Sequence, residues 1–420
     1  MTSAASESSG AVPTVLRGRL VLPDAVVDDG LLVLAGDRIA FAGDVADADP
    51  SVAGGLPPAD GTTTLLPGLV DLHNHGGGGV SFPDAVTADE VRTGVRAHLE
   101  HGTTTMLASL VTAGRETLLE RAELLGSLAA EGEIAGIHAE GPFLSHARRG
   151  AQSPEHLTPG DVRLVRELAA AARGHLRTMT VAPEVPGVTG PGGAAEALVE
   201  AGVIPSLGHT DGTTEQTEAL VALVADALRA AAASGQPARE MTATHLFNGM
   251  PPLHHRAPGP VAACLAAAAR GDLVPELIAD GVHLAPATVR SMIATLGADH
   301  VVLVTDAMAA AGMPDGSYEL GPMAVTVHEG VARLTDPEHP DDPSAGAIAG
   351  GTARLLDVVR VTVEAGVPLA EAVRAASWVP ARVLGLADVG GLVAGRRADV
   401  LVTGAGLRPV RVFRAGVPVT

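Results

Sequence analysis

The sequence predicts an α/β chain: a TIM-like (β/α)8 barrel carrying a small β-sandwich domain built from both chain termini. Three observations predict it. Eight short apolar runs alternate with Ala/Leu/Glu/Arg-rich helical stretches, the pattern of parallel βα units. Both ends of the chain instead show short β-branched and leucine runs broken by Gly, Asp and Pro. Lastly, the chemically suggestive residues fall just after the expected strands, where a barrel gathers its catalytic groups.

Taken in order, residues 1–12 are Ser/Ala-rich without positive charge, so they read as a disordered tail and fail as a secretory signal. Residues 13–66 and 388–420 form the small β domain, since chain termini commonly lie close together. Its strands include Leu31–Ala35, Arg38–Ala42, Ala398–Val402 and Val410–Arg414. Residues 67–387 form the catalytic barrel. Its strands are expected at Leu65–Leu72, Thr103–Ser109, Ile134–His138, Met179–Ala182, Ile204–Leu207, Met241–Thr244, Glu276–Ala279 and Val301–Val304. Between them helices are expected at Ala88–His101, Glu116–Glu131, Gly160–Arg173, Gly193–Ala201, Glu215–Ser234, Pro260–Arg270 and Ala285–Leu296. A hairpin, Ala324–His328 with Val331–Leu334, then leads into the Pro/Asp-rich Asp336–Pro343. Two helices, Thr352–Ala365 and Leu369–Leu384, complete the outer ring.

Composition narrows the function. A net charge of −20 repels nucleic acid and anionic membrane surfaces, so neither is an expected partner. The apolar window Leu220–Ala233 is interrupted by Asp226 and Arg229, short of the roughly 18 residues of a membrane span. A soluble cytoplasmic protein is expected. The single cysteine, Cys264, excludes an internal disulfide framework and a thiolate metal cluster. Lysine is absent altogether, which excludes Schiff-base chemistry, a phosphate-loop lysine and a carboxylated-lysine metal bridge.

Metal ligands must therefore be His and carboxylates. After strand one, Asp71-Leu72-His73-Asn74-His75 sets two imidazoles on one face of an extended chain, able to reach one cation. Strand three ends in His138-Ala139-Glu140-Gly141-Pro142, where Glu140 is either a bridging ligand or the cap of the next helix. Strands five and six deliver His209 and His245, and strand eight ends in Asp306, a ligand and proton acceptor or else a helix N-cap. Together His73, His75, Glu140, His209, His245 and Asp306 make an N/O set suited to one or two divalent ions: zinc first, with iron, manganese or cobalt as alternatives. With metal-activated water, Asp306 takes the catalytic role of base and then acid toward the departing nitrogen.

These motifs, with Pro67-Gly68-Leu69-Val70, Thr244–Arg256, Asp280-Gly281-Val282-His283 and Thr305-Asp306-Ala307-Met308, resemble the N-acetylglucosamine-6-phosphate deacetylases of the amidohydrolase superfamily. The similarity runs nearly the whole chain. It implies hydrolysis of the N-acetyl group of an amino-sugar phosphate to acetate and glucosamine 6-phosphate, and a homodimer. By position it implies Glu140, His209 and His245 as metal ligands, with His73 and His75 favouring a site that takes two ions. It also implies substrate contacts at Ala151, Gln152, Asn248, Gly249, Arg256, Asp280, His283, Ile348, Ala349 and Gly350. Arg256 supplies a guanidinium fork suited to phosphate, set against the plainer reading of a surface ion pair. The chain departs from the family where Gly-Ala-His-Asn-Pro becomes Gly150-Ala151-Gln152-Ser153-Pro154, so glutamine replaces a histidine usually near the sugar or phosphate. Two other readings compete: a deacylase of another N-acyl sugar or amide, and a metal-containing sugar-binding protein without catalysis.

Overall fold

In the computed structural model, residues 13–53, 57–339 and 342–419 are described; the expected tail at 1–12 lies outside them. Eight parallel strands form one sheet in sequential order: Leu69–Asp71, Thr103–Leu110, Gly136–Glu140, Leu176–Val181, Ile204–Leu207, Thr242–Ala243, Val274–Leu277 and Val302–Leu303. The last and first meet at their C-terminal ends. There the Asp306 N–H donates to His73 O at 2.9 Å and the His75 N–H to Ala307 O at 2.7 Å, closing a (β/α)8 barrel. The seam is reinforced by the buried Asp71 carboxylate, which accepts the Thr305 hydroxyl at 2.6 Å and the Thr305 N–H at 3.2 Å.

The expected first strand divides between two sheets. Thr64–Pro67 pairs with Val400–Thr403 in the terminal domain, and Leu69–Asp71 begins the barrel. Gly68 marks the switch: a Cβ there would lie 2.1 Å from Thr104 Oγ1 and 2.8 Å from Asp399 Cβ, so only glycine fits. The terminal domain is one seven-stranded sheet joining strands from both chain ends, mainly antiparallel, with Thr14–Val21 and Thr64–Pro67 paired parallel. It curls back on itself, because strand Arg38–Asp44 at one edge bonds the segment before Val400 (Ile39 N–H to Arg396 O, 2.9 Å). Leu20, Leu32, Leu34, Ile39, Leu65, Val400 and Phe413 fill the space enclosed.

The helices follow the expected order, and three of them start at side-chain caps. Thr87 with Glu90, and Thr213 with Gln216, form capping boxes, and Asp161 caps Val162–Ala171. Two expectations change. The single helix Leu369–Leu384 is two, Leu369–Ala375 and Trp378–Val383. Pro380 has no N–H for the Ala376 carbonyl, which instead accepts the Val70 N–H of the first barrel strand at 2.9 Å. The hairpin after strand eight gains a third strand, Gly316–Leu320, ahead of Met323–His328 and Val331–Leu334. Among the described residues, no helix is long and apolar enough to cross a membrane.

Candidate metal centre and cleft

The barrel brings the six expected ligands to one place at the C-terminal ends of its strands. Glu140 is central. Its Oε1 lies 2.8 Å from His209 Nε2 and 3.0 Å from His245 Nε2, and these two nitrogens are 3.1 Å apart. Its Oε2 lies 3.2 Å from His75 Nε2 and 3.8 Å from His73 Nε2, themselves 2.9 Å apart. Asp306 Oδ1 completes the second group, 3.2 Å from His73 and 3.4 Å from His75. All but Asp306, whose side chain is 13% exposed, are nearly inaccessible.

Burial of this many ionisable groups is costly unless they neutralise one another. Desolvation opposes charge on His73, His75, Glu140, His209 and Asp306, yet each of these five wins it back from its neighbours. Glu140 is pushed up by burial but held well below the usual carboxylate range by His209 and His73. Burial likewise opposes ionisation of Asp306, but His73 and His75 pull its pKa below the normal value. For His73, burial is outweighed by the Asp306 and Glu140 carboxylates, and for His209 by Glu140, so both imidazoles are held above the ordinary histidine value.

The hydrogen-bond geometry tests whether a cation fits. His209 Nδ1 faces the Arg148 carbonyl at 2.7 Å, and a carbonyl only accepts, so this nitrogen carries the hydrogen. In the neutral ring the Nε2 lone pair then faces Glu140 Oε1, acceptor against acceptor, with His245 Nε2 beside it at 3.1 Å. A proton on Nε2, which Glu140 favours, or a bound cation in its place relieves this contact. Separations of 2.8–3.1 Å are near the ligand–ligand edge of about 3.3 Å for tetrahedral bonds of roughly 2.0–2.1 Å. The residues fit a divalent metal, with a second donor group of His73, His75 and Glu140 sharing the same carboxylate.

Local backbone supplies the aim. His209, His245 and Asp306 have φ of +48°, +30° and +48°, a left-handed region uncommon for non-glycine residues, which turns each side chain into the barrel mouth. Beneath them His138 is locked between Ser109 Oγ (2.9 Å) and Thr180 Oγ1 (2.8 Å), its ring edge-on to His73. Burial keeps His138 far below its ordinary pKa, so it is a neutral floor to the site.

Above the ligands opens a cleft of about 250 Å³. Of the expected substrate contacts, Ala151, Gln152, Asn248, Gly249, His283, Ile348, Ala349 and Gly350 line it, beside His75, Glu140, His209, His245 and Asp306. Two do not. Asp280 instead accepts from His283 Nδ1 at 2.7 Å and from the Val282 and His283 N–H groups at 2.9 and 2.8 Å, so it orients His283 from behind. Arg256 lies in the exposed stretch 252–258 and is not among the residues lining the cleft. Among the described residues no arginine lines the cleft. Glu276, unremarked in the sequence, is buried with Oε2 3.4 Å from both His73 Nδ1 and the His245 N–H. Its signal was a carboxylate inside an apolar strand. Leu320 and Ala347, from the segment after strand eight, also line the cleft.

Comparisons with known proteins agree with this geometry. Residues 64–419 match the amidohydrolase family model. An N-acetylglucosamine-6-phosphate deacetylase of Lysinibacillus sphaericus is 33% identical over 361 residues, 84% of each chain. An N-acetylgalactosamine-6-phosphate deacetylase of Escherichia coli O157:H7 is 34% identical over 359 residues, 84% of this chain and 86% of that one. The solved N-acetyl-D-glucosamine-6-phosphate deacetylase of Mycobacterium smegmatis superposes with a TM-score of 0.84 at 39% identity, covering 97% of this chain and all of that one. With this fold, these ligands and this similarity over most of its length, the chain belongs to the amidohydrolase family, among its amino-sugar-phosphate deacetylases, and is a hydrolase acting on an amide.

Proposed function

We propose that the protein hydrolyses the acetamide of N-acetylglucosamine 6-phosphate, releasing acetate and glucosamine 6-phosphate. The observation that carries this reading is Asp306: its carboxylate adjoins His73 and His75 yet remains partly open to the cleft. A divalent ion held by Glu140, His209 and His245, with His73 and His75 able to hold another, supplies activation of water near neutral pH and polarisation of the amide carbonyl. Zinc is the proposed ion.

Asp306, ionised, accepts the proton of the attacking water. It then returns that proton to the departing nitrogen, since an amine leaves poorly unprotonated. His283 has its Nδ1–H committed to Asp280, which leaves Nε2 for a sugar hydroxyl. Near-complete enclosure of the ligands keeps bulk water from screening the charges that develop. The backbone of Asn248, Gly249 and Ala349–Gly350 offers polar groups to the substrate from the rim.

Arg256 does not reach this chain's own cleft, and a homodimer would let that guanidinium serve a neighbouring copy. The dimer and a cytoplasmic location belong to the proposal. Relatives of similar identity carry the names of deacetylases for both the gluco and the galacto epimer. The test is acetate release from N-acetylglucosamine 6-phosphate, its galacto epimer and unphosphorylated N-acetylglucosamine. Highest kcat/KM on the first supports the reading; faster turnover of either other sugar replaces it.

A further inference from the structure

Gln152, expected to touch substrate, has its amide committed on both sides. Its Oε1 accepts the Thr112 N–H at 2.7 Å, and its Nε2 donates to Glu140 Oε2 at 2.6 Å. A backbone N–H only donates, so the first bond fixes which end of the amide faces the carboxylate. The Thr112 hydroxyl in turn donates to the Glu140 carbonyl at 3.1 Å, tying the residue that orients the amide to the strand it serves. Gln152 is 3% exposed, so water does not substitute for these bonds at little cost.

The two oxygens of Glu140 face different histidine pairs, Oε1 toward His209 and His245, Oε2 toward His73 and His75. The terminal torsion of a glutamate is broad, so nothing in the side chain itself selects that division. On the Oε1 side two imidazoles approach within 3.0 Å and hold their oxygen closely. On the Oε2 side the imidazoles stand at 3.2 and 3.8 Å, and the shortest contact is Gln152.

We propose that Gln152 is a positioning residue for the metal centre. Its amide holds Glu140 Oε2 toward His73 and His75, and so sets the affinity for the ion on that side more than for the ion held by His209 and His245. The proposal rests on the metal-dependent reading above. Loss of a hydrogen-bond partner to a metal-ligating group typically weakens metal binding about 10–100-fold. Gln152→Leu removes the amide at similar size. Gln152→His keeps both functions, one ring nitrogen accepting from Thr112 and the other donating to Glu140.

The experiment titrates metal-free wild type, Q152L and Q152H with zinc alone, using competitive chelators and elemental analysis, with thermal melts to confirm folding. Wild type is expected to bind two ions. Q152L is expected to bind the weaker ion roughly 10–100-fold less tightly and the tighter ion with little change, and Q152H to restore the second ion. In turnover Q152L lowers kcat with KM nearly kept, whereas a lost substrate contact raises KM. The proposal is overturned if wild type takes up one ion at saturation, if Q152L binds two with wild-type affinity, or if both ions weaken equally. Because zinc binding is read without substrate, a protein that loads metal but fails to deacetylate sinks the functional reading and leaves this one standing.

Discussion

The barrel mouth and the curled terminal sheet are both built on short strands, but they bury opposite things. In the sheet, Leu20, Leu32, Leu34 and Phe413 close on one another and exclude water, which stabilises the fold. At the mouth, six ionisable side chains converge, and His209, His245 and Asp306 hold left-handed backbone, each at a cost on the order of 1–3 kcal/mol. The difference teaches that ligand geometry here is imposed by the surrounding barrel and is not locally comfortable. Changes at the mouth should cost activity and leave stability intact; changes in the sheet should do the reverse.

The largest effect is expected from Asp306→Asn. Turnover should fall about 10²–10⁴-fold while bound metal and the thermal midpoint are kept, as steady-state kinetics, elemental analysis and calorimetry would register. Retained turnover removes the proton-transfer role. On the sheet side, Leu32→Ala should lower unfolding free energy by about 2–5 kcal/mol in denaturant titrations, with kcat per folded molecule unchanged. A fall in kcat would blur the division of labour between the two regions.

A third change probes the link between mouth and outer helix. His98, fully buried on helix Ala88–Leu99, donates from Nε2 to the Gly76 carbonyl at 2.8 Å, and burial lowers its pKa to about 4. Unfolded, the ring takes up a proton near its ordinary value of about 6.5, so between those values the unfolded chain binds more protons. Stability should therefore be lost as pH falls from about 6.5 toward 4, by about 3 kcal/mol from this group. His98→Gln should flatten that part of the metal-free pH–stability curve; identical slopes would show that His98 does not contribute. The smallest effect is expected at the partly exposed Arg38–Asp388 bridge (2.5 Å), where Asp388→Ala should cost no more than about 1 kcal/mol.

Much of this was legible in the sequence because alternation of strand and helix, and the position of polar residues at strand ends, are local patterns. His73, His75, Glu140, His209, His245 and Asp306 could be read that way, each lying just beyond an apolar run. Where one apolar stretch serves two sheets, as across Gly68, periodicity carries no mark of the switch. The break before Trp378 depends on Pro380 and on a carbonyl captured by Val70, a contact from across the fold. Side-chain destinations in loops were the least legible. Asp280 and Arg256 were assigned to substrate by position, yet one grips His283 and the other is exposed outside the cleft lining, while Gln152 lines the cleft and also grips Glu140. Those outcomes depend on loop paths that no short pattern encodes.

The most direct measurement is acetate release from N-acetylglucosamine 6-phosphate by the purified protein, by the same protein stripped of metal to a verified trace, and by the stripped protein given zinc. Activity should vanish on stripping and return on zinc addition. Undiminished acetate release from metal-free protein would contradict a hydrolase built on Glu140, His209 and His245.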